Sequence, residues 1–217
     1  MSLESTFASH GFELSHEEIF QFEKFLSLFM HYNSHTNLSA IRDEEGIISK
    51  HFIDSLFGAA VIQESIETNN RKPKLLDIGS GGGFPGIPLK IVIPELQITL
   101  LDSVGKKVKA MSHFVHELGL EGIESIQERA EILVKNPEYA SQYNFVVSRA
   151  TAYITDILTW AVPFLAPGGK IILYKMPSDE EKKDREKIIK KLGLMLEGEL
   201  KYELSDKERI LYIFRKK

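Results

Sequence analysis

The sequence predicts an α/β fold, a mostly parallel sheet closed by an antiparallel hairpin and preceded by a helical extension. Three observations predict it. Apolar residues recur at three- and four-residue steps through the first 65 positions, short β-type runs alternate with helical ones from Lys74, and two β-like runs after Gly193 are parted by only four residues. The 217 residues suit one dominant core with a small addition. Apolar content of 43% and charged content of 27% exclude a disordered or low-complexity chain.

The elements follow in order. Ser15 and Glu18 have capping-box spacing, so a helix starts there and carries Ile19, Phe22, Leu26, Phe29 and Met30 on one face to about Asn33. A second helical stretch runs from about Asp43 to Gln63. The polar segment from Glu64 to Arg71, ending at Pro73, is a joint, which divides the chain into a helical extension (1–65) and a sheet domain (66–217). Strands are expected at Lys74 to Ile78, Ile98 to Asp102, Gly122 to Gln127, Phe145 to Ser148 and Lys170 to Tyr174. Helices are expected at about 85–93, 104–118, 129–135, 154–164 and 179–192, before the hairpin of Leu196 to Leu204 and Arg209 to Arg215.

Composition narrows the chemistry. With no cysteine there is no disulfide, thiolate zinc site, iron–sulfur cluster or cysteine nucleophile. No apolar run is long enough to span a bilayer and the first residues do not resemble a signal peptide, so a cytoplasmic protein is expected. A net charge of −4 is the wrong sign for holding nucleic acid by charge alone, so any such contact is local; Lys106, Lys107, Lys109 and the tail Arg215-Lys216-Lys217 are the one-sided basic groups. The run Asp179 to Lys191 mixes both signs and reads as a solvated helix face, with Glu181/Arg185 at pair spacing. His31 and His35 have the spacing of two zinc ligands but lack the intervening glutamate and a third ligand, so no metal is expected.

The glycine loop carries the sharpest signal. Asp77-x-Gly79-x-Gly81-x-Gly83 begins on a strand's last turn and leads through Phe84 into a helix, the spacing used by S-adenosylmethionine enzymes; glycines let a ligand lie against bare amides at a helix N-terminus. Gly81 to Gly86 also satisfies G-x-G-x-x-G, which keeps a nicotinamide-dependent oxidoreductase open. Asp102, closing the second strand, can accept both hydroxyls of a ribose or else serve the next helix as a cap. Arg129-Ala130-Glu131 sits where such folds meet an adenine edge, or is an ordinary helix start. Arg149, at the carboxyl end of the fourth strand, either helps hold cofactor and substrate or pairs with a nearby carboxylate. That strand end, Ser148-Arg149-Ala150-Thr151, lacks the Asn/Asp-Pro-Pro-Tyr/Phe of amino-methylating enzymes, and without cysteine a C5 methylation is excluded. Guanine N7, a nucleophile with a free in-plane lone pair, remains.

Together these motifs resemble the bacterial 16S ribosomal RNA guanine-N7 methyltransferases, also called glucose-inhibited division protein B. The resemblance rests on Tyr32-Asn33, Asn37 to Ile41, Lys50 to Leu56, Asp77 to Pro88, Leu100 to Ser103, Arg129 to Glu131, Ser148 to Ala150 and Tyr174-Lys175, with Gly83-Phe84-Pro85-Gly86-Ile87-Pro88 the most specific. It implies a seven-stranded Rossmann-like S-adenosylmethionine-dependent methyltransferase sheet with an antiparallel last strand and an N-terminal helical extension. It also implies methyl transfer to N7 of one guanine in 16S ribosomal RNA, as naked RNA or small subunit, by a monomer. On the resemblance and the loop spacing, Gly79, Gly81, Gly83, Phe84, Asp102, Ala130, Glu131 and Arg149 are the expected cofactor residues. His51, Asp54 and Lys175 are expected on the substrate side, and no residue is assigned a catalytic part. Tyr32, Ser39 and Met176 depart from the family's usual tryptophan, threonine and glycine. The same fold acting on another RNA, a protein or a small molecule, or serving as a non-catalytic RNA-binding factor, stays open.

Overall fold

The computed structural model describes residues 2–67, 72–149 and 152–217, so most of the joint's end and Ala150-Thr151 lie outside the described residues. A short helix that the periodicity did not predict, α1 (Leu3–Ser9), opens the chain, capped by Ser2 and anchored by buried Phe7. In α2 (His16–Thr36) both halves of the capping box form, with Ser15 N donating to Glu18 Oε2 at 2.7 Å. Phe22, Phe25, Leu26 and Phe29 make its buried face. The helix stops at Asn37, whose φ of 52° is left-handed.

The predicted continuous second helix is divided. α3 (Glu44–Ile47) passes into a π-helical turn (Ile48–Ile53) and α4 (Asp54–Leu56), and α5 (Ala59–Glu67) starts after a break at Phe57-Gly58. The break has a tertiary cause: Tyr174 Oη donates to the Ser55 carbonyl at 2.8 Å, the acceptor that an unbroken helix would offer Ala59. A Cβ at Gly58 would lie 2.2 Å from that hydroxyl.

From β1 (Lys74–Ile78) the alternation predicted by the sequence holds: α6 (Gly86–Val92), β2 (Gln97–Asp102), α7 (Gly105–Leu118), β3 (Ile123–Gln127), α8 (Ala130–Leu133), β4 (Tyr143–Arg149), α9 (Ile154–Ala161), β5 (Leu165–Lys175) and α10 (Asp179–Lys191). The hairpin is β6 (Leu194–Leu204) and β7 (Lys207–Lys216), turning on Ser205 and Asp206 at φ 51° and 57°, as a tight two-residue turn requires. Among the described residues the seven strands lie in the order β3-β2-β1-β4-β5-β7-β6; β1 to β5 are parallel, and β7 runs antiparallel to both of its neighbours.

Period-two alternation sorts the strands between two cores. Leu75, Leu100 and Val147 face the N-terminal helices, a layer rich in phenylalanine (Phe7, Phe22, Phe25, Phe29, Phe52, Phe114). Leu76, Leu101 and Val146 face α8 and α9 through Leu133, Ile157 and Phe164. Both faces being covered explains why β1, β2 and β4 read as continuous apolar runs. No helix among the described residues is long and apolar enough to cross a membrane.

Candidate active site

The carboxyl ends of β1, β2 and β4 form the floor of a cleft of about 520 Å³. Gly79 N and Ser80 N both donate to the Leu101 carbonyl, at 2.8 and 3.1 Å, which ties the glycine loop to β2. Gly79 and Gly81 take φ of 74° and 60°, and a Cβ at Gly81 would meet only the Gly79 carbonyl oxygen, at 3.9 Å. Gly82 is close-packed instead: a Cβ there would sit 2.5 Å from the Phe29 ring. Beneath the loop Asp77 is wholly buried, with Oδ2 accepting from Gly86 N at 2.9 Å and Oδ1 without a partner among the described residues. Burial pushes its carboxyl up to about 7.

Asp102 makes the second wall. Its Oδ2 accepts from Gly81 N at 3.0 Å and faces Lys107 Nζ at 3.5 Å, while Oδ1 accepts from Val104 N at 2.9 Å. The carboxylate therefore ends β2, steadies the start of α7 and braces the glycine loop in the same place. Arg129, Ala130 and Glu131 at the start of α8 line the far side.

The near side comes from the helical extension. Buried Asn33 donates from Nδ2 to the Ile41 carbonyl at 3.0 Å and accepts from Ser39 N at 2.8 Å, folding residues 37–41 over the cleft so that Leu38 and Ser39 line it. His51 stacks on Phe84, centroids 4.7 Å apart. Arg149 Nη2 donates to His51 Nδ1 at 3.0 Å, so the proton sits on Nε2 and is donated to Ser39 Oγ at 2.9 Å. Burial, then the neighbouring Arg149 charge, hold His51 down at about 3, and the ring is neutral at physiological pH.

Arg149 joins the two halves of the molecule. Its Nη1 donates to Asp54 Oδ2 at 3.0 Å and to the Lys50 carbonyl, and its guanidinium lies 5.4 Å from the Phe84 centroid. The ion-pair reading of Arg149 is thus realised, with Asp54 as partner. Tyr202 Oη completes Asp54 by donating to Oδ1 at 2.7 Å, and Phe57 stacks on Tyr202. Burial and then Asp54 hold the Tyr202 hydroxyl far above its ordinary range, so it stays a donor.

Beyond this bridge lies a second cavity of about 540 Å³, and His51 and Arg149 line both spaces. Of the residues that the sequence singles out, Gly79, Gly81, Phe84, Asp102, Ala130, Glu131, Arg149 and His51 line the cleft. Gly83 lies behind the loop, where its Cβ would meet Ile87 at 2.4 Å. Asp54 and Lys175 face the second cavity, with Met176 exposed at its edge. Ala150 lies outside the described residues. His31 and His35 sit exposed on α2 with rings 5.3 Å apart.

Two features escaped the sequence reading. Tyr202 gave no signal, being an isolated tyrosine in a hairpin. The solvated-face reading of α10 fails at Glu181 and Arg185, which are buried. They are not paired with each other: Arg185 reaches Glu199 on β6 at 2.5 Å and Glu181 reaches Lys175 at 2.7 Å. Helix-pair spacing does not reveal a partner on a neighbouring strand.

A family model described as rRNA small subunit methyltransferase G matches residues 18–199, which includes the glycine loop, Asp102, Arg149 and the helical motif around His51. This chain belongs to the rRNA small subunit methyltransferase G family. Relatives of that name agree along nearly the whole chain. The protein from Lysinibacillus sphaericus is 37% identical over 95% of this chain and 86% of its own, and that from Carboxydothermus hydrogenoformans 38% identical over 99% and 90%. Solved structures similar to this one include TrmN from Thermus thermophilus (TM-score 0.55, 16% identity, 78% of this chain and 53% of that one). Another is a ribosomal protein L11 methylase from Lactobacillus delbrueckii subsp. bulgaricus (TM-score 0.58, 13% identity, 77% and 79%). At these identities the likeness concerns the fold alone.

Proposed function

We propose that this member of the rRNA small subunit methyltransferase G family transfers the methyl group of S-adenosylmethionine to N7 of one guanine in 16S ribosomal RNA. The observation that carries the reading is a glycine-loop cleft, braced by a buried carboxylate, that shares His51 and Arg149 with a neighbouring second cavity. The residues present fit the cofactor: a Cβ at Gly81 would touch nothing nearer than the Gly79 carbonyl at 3.9 Å, so a ligand can lie against the loop amides, and Asp102 is a hydroxyl acceptor at the carboxyl end of β2. Gly79, Gly81, Phe84, Asp102, Ala130, Glu131 and Arg149 are the residues that would hold it, with Gly83 shaping the loop from behind.

When bound, S-adenosylmethionine supplies an electrophilic methyl carbon on a sulfonium. The protein's part is alignment and exclusion of water. N7 offers a lone pair and no proton, so no general base is needed, and His51, which lines the cleft, is neutral and already hydrogen-bonded on both nitrogens. Phe84 under His51 and Arg149 makes a rigid shelf between the two spaces.

The test is incubation of the purified protein with methyl-labelled S-adenosylmethionine and unmethylated small ribosomal subunits, with nucleosides mapped by mass spectrometry. Label in a single 7-methylguanosine of 16S RNA is expected. Label in another nucleoside, in protein or nowhere would overturn the assignment.

A further inference from the structure

Glu181 does not behave like the rest of α10. It is 9% exposed and, unlike Arg185, the other buried charge of this helix, it lines the second cavity. Oε1 is used twice, by Lys175 Nζ at 2.7 Å and Ile154 N at 3.3 Å; Oε2 has no hydrogen-bond partner among the described residues and is not sealed away from the cavity. Lys175 Nζ donates to the Ala152 carbonyl at 2.9 Å and faces Glu181 as an ion pair, which leaves at least one of its three N–H groups unspent. Asp54, the other acid of this cavity, is saturated by Arg149 and Tyr202. The cavity wall therefore offers one unspent carboxylate oxygen beside one unspent ammonium hydrogen. Water can serve this oxygen while the cavity is empty, and a ligand donor of matching geometry can take its place.

Guanine brings that pattern on its Watson–Crick edge: N1–H and N2–H are neighbouring donors, and O6 beside them is an acceptor. Adenine can donate N6–H to the same oxygen and accept at N1 from Lys175, so what sets guanine apart is its second neighbouring donor, N2–H, on the other lone pair of Oε2. N7 lies on the adjoining edge of the ring and is left free for the cleft. We propose that the second cavity receives the target guanine with its Watson–Crick edge against α10, and that Glu181 Oε2, with Lys175, selects guanine. The assignment rests on the guanine-methylating function proposed above. It also requires that the base be unpaired when it reacts, extruded from any helix, because a paired guanine hides the edge that Glu181 reads.

The probe is competition, in which guanosine 5′-monophosphate and inosine 5′-monophosphate, which lacks the N2 amine, inhibit methylation of small subunits. Guanosine monophosphate is expected to inhibit the unaltered protein about tenfold more tightly than inosine monophosphate. Glu181→Gln keeps the side chain's size and an oxygen for Lys175 and Ile154. It should lower kcat/KM for subunits about tenfold or more, leave S-adenosylhomocysteine binding unchanged in calorimetry and erase the difference between the two nucleotides. Equal inhibition of the unaltered protein by both nucleotides would overturn the proposal without any variant. So would a Gln variant that retains the guanosine preference, because a merely structural role lowers activity without changing that ratio. Absence of 7-methylguanosine from the unaltered protein would instead sink the functional reading and this inference together.

Discussion

The cleft and the second cavity share His51 and Arg149, but their other walls are made differently. The cleft takes continuous stretches of chain, residues 78–82, 101–104 and 128–131, and much of its lining is loop backbone. The second cavity takes one continuous stretch, Tyr174 to Ser178 at the end of β5, and otherwise mostly single side chains from separate elements, Asp54 of α4, Arg149 of β4, Glu181 of α10, Tyr202 of β6 and Arg209 of β7. A space lined by backbone is shaped by what must be missing, above all Cβ atoms. A space lined by side chains is shaped by charges that must find each other across long sequence separations, so the two should fail in opposite ways when mutated.

The largest effect is expected at the bridge. Arg149→Ala leaves the Asp54 carboxylate, 6% exposed, without its cation, and should cost about 3–5 kcal/mol of stability in urea unfolding. A loss below about 1 kcal/mol would mean that water already screens the pair and that the bridge does not join the two halves. Gly82→Ala, which pushes a methyl into Phe29, should cost about 1–3 kcal/mol and weaken S-adenosylhomocysteine binding as well. For Asp102→Ala, calorimetry should record about 1–3 kcal/mol of lost cofactor affinity, and unchanged affinity would remove Asp102 from the site.

Protonation sharpens the comparison further. Asp77 holds its proton to about 7 in the folded protein against 3.8 in the unfolded chain, so its contribution to stability is full below 3.8 and is lost as pH rises through 7. His51 has the reverse sign: its contribution is full above 6.5 and is lost as pH falls toward 3. Asp77→Asn should therefore gain stability relative to the unaltered protein as pH is raised from 5 to about 8, and parallel melting curves across that range would contradict the buried-carboxylate account. The smallest effect belongs to the outer face of α10, where Lys187→Ala breaks an exposed 3.9 Å pair with Asp184 and should change stability by no more than about 0.5 kcal/mol.

The same contrast explains what could be read in advance. The glycine loop, Asp102 and Ala130-Glu131 were legible because each depends on a few consecutive residues whose φ, capping and strand-end position are local properties. Glu181 and Tyr202 were not legible: one stood in a charge run whose i,i+4 spacing suggested Arg185 as partner, the other in a strand of mixed polarity. The split of the second helix was equally hidden, because its cause is Tyr174, more than a hundred residues away.

The sequence by itself determined the order of strands and helices, the phenylalanine face of α2, the loop with bare amides and the exclusion of cysteine chemistry, since periodicity, turn chemistry and composition act over short range. Only the tertiary structure decided that β7 lies between β5 and β6, that the helical extension closes the cleft through Asn33 and His51, and that Arg149, Asp54, Tyr202, Lys175 and Glu181 meet at one cavity. Charges buried by the packing of both sheet faces must pair with whatever the fold brings within reach, and that choice is made in space rather than along the chain.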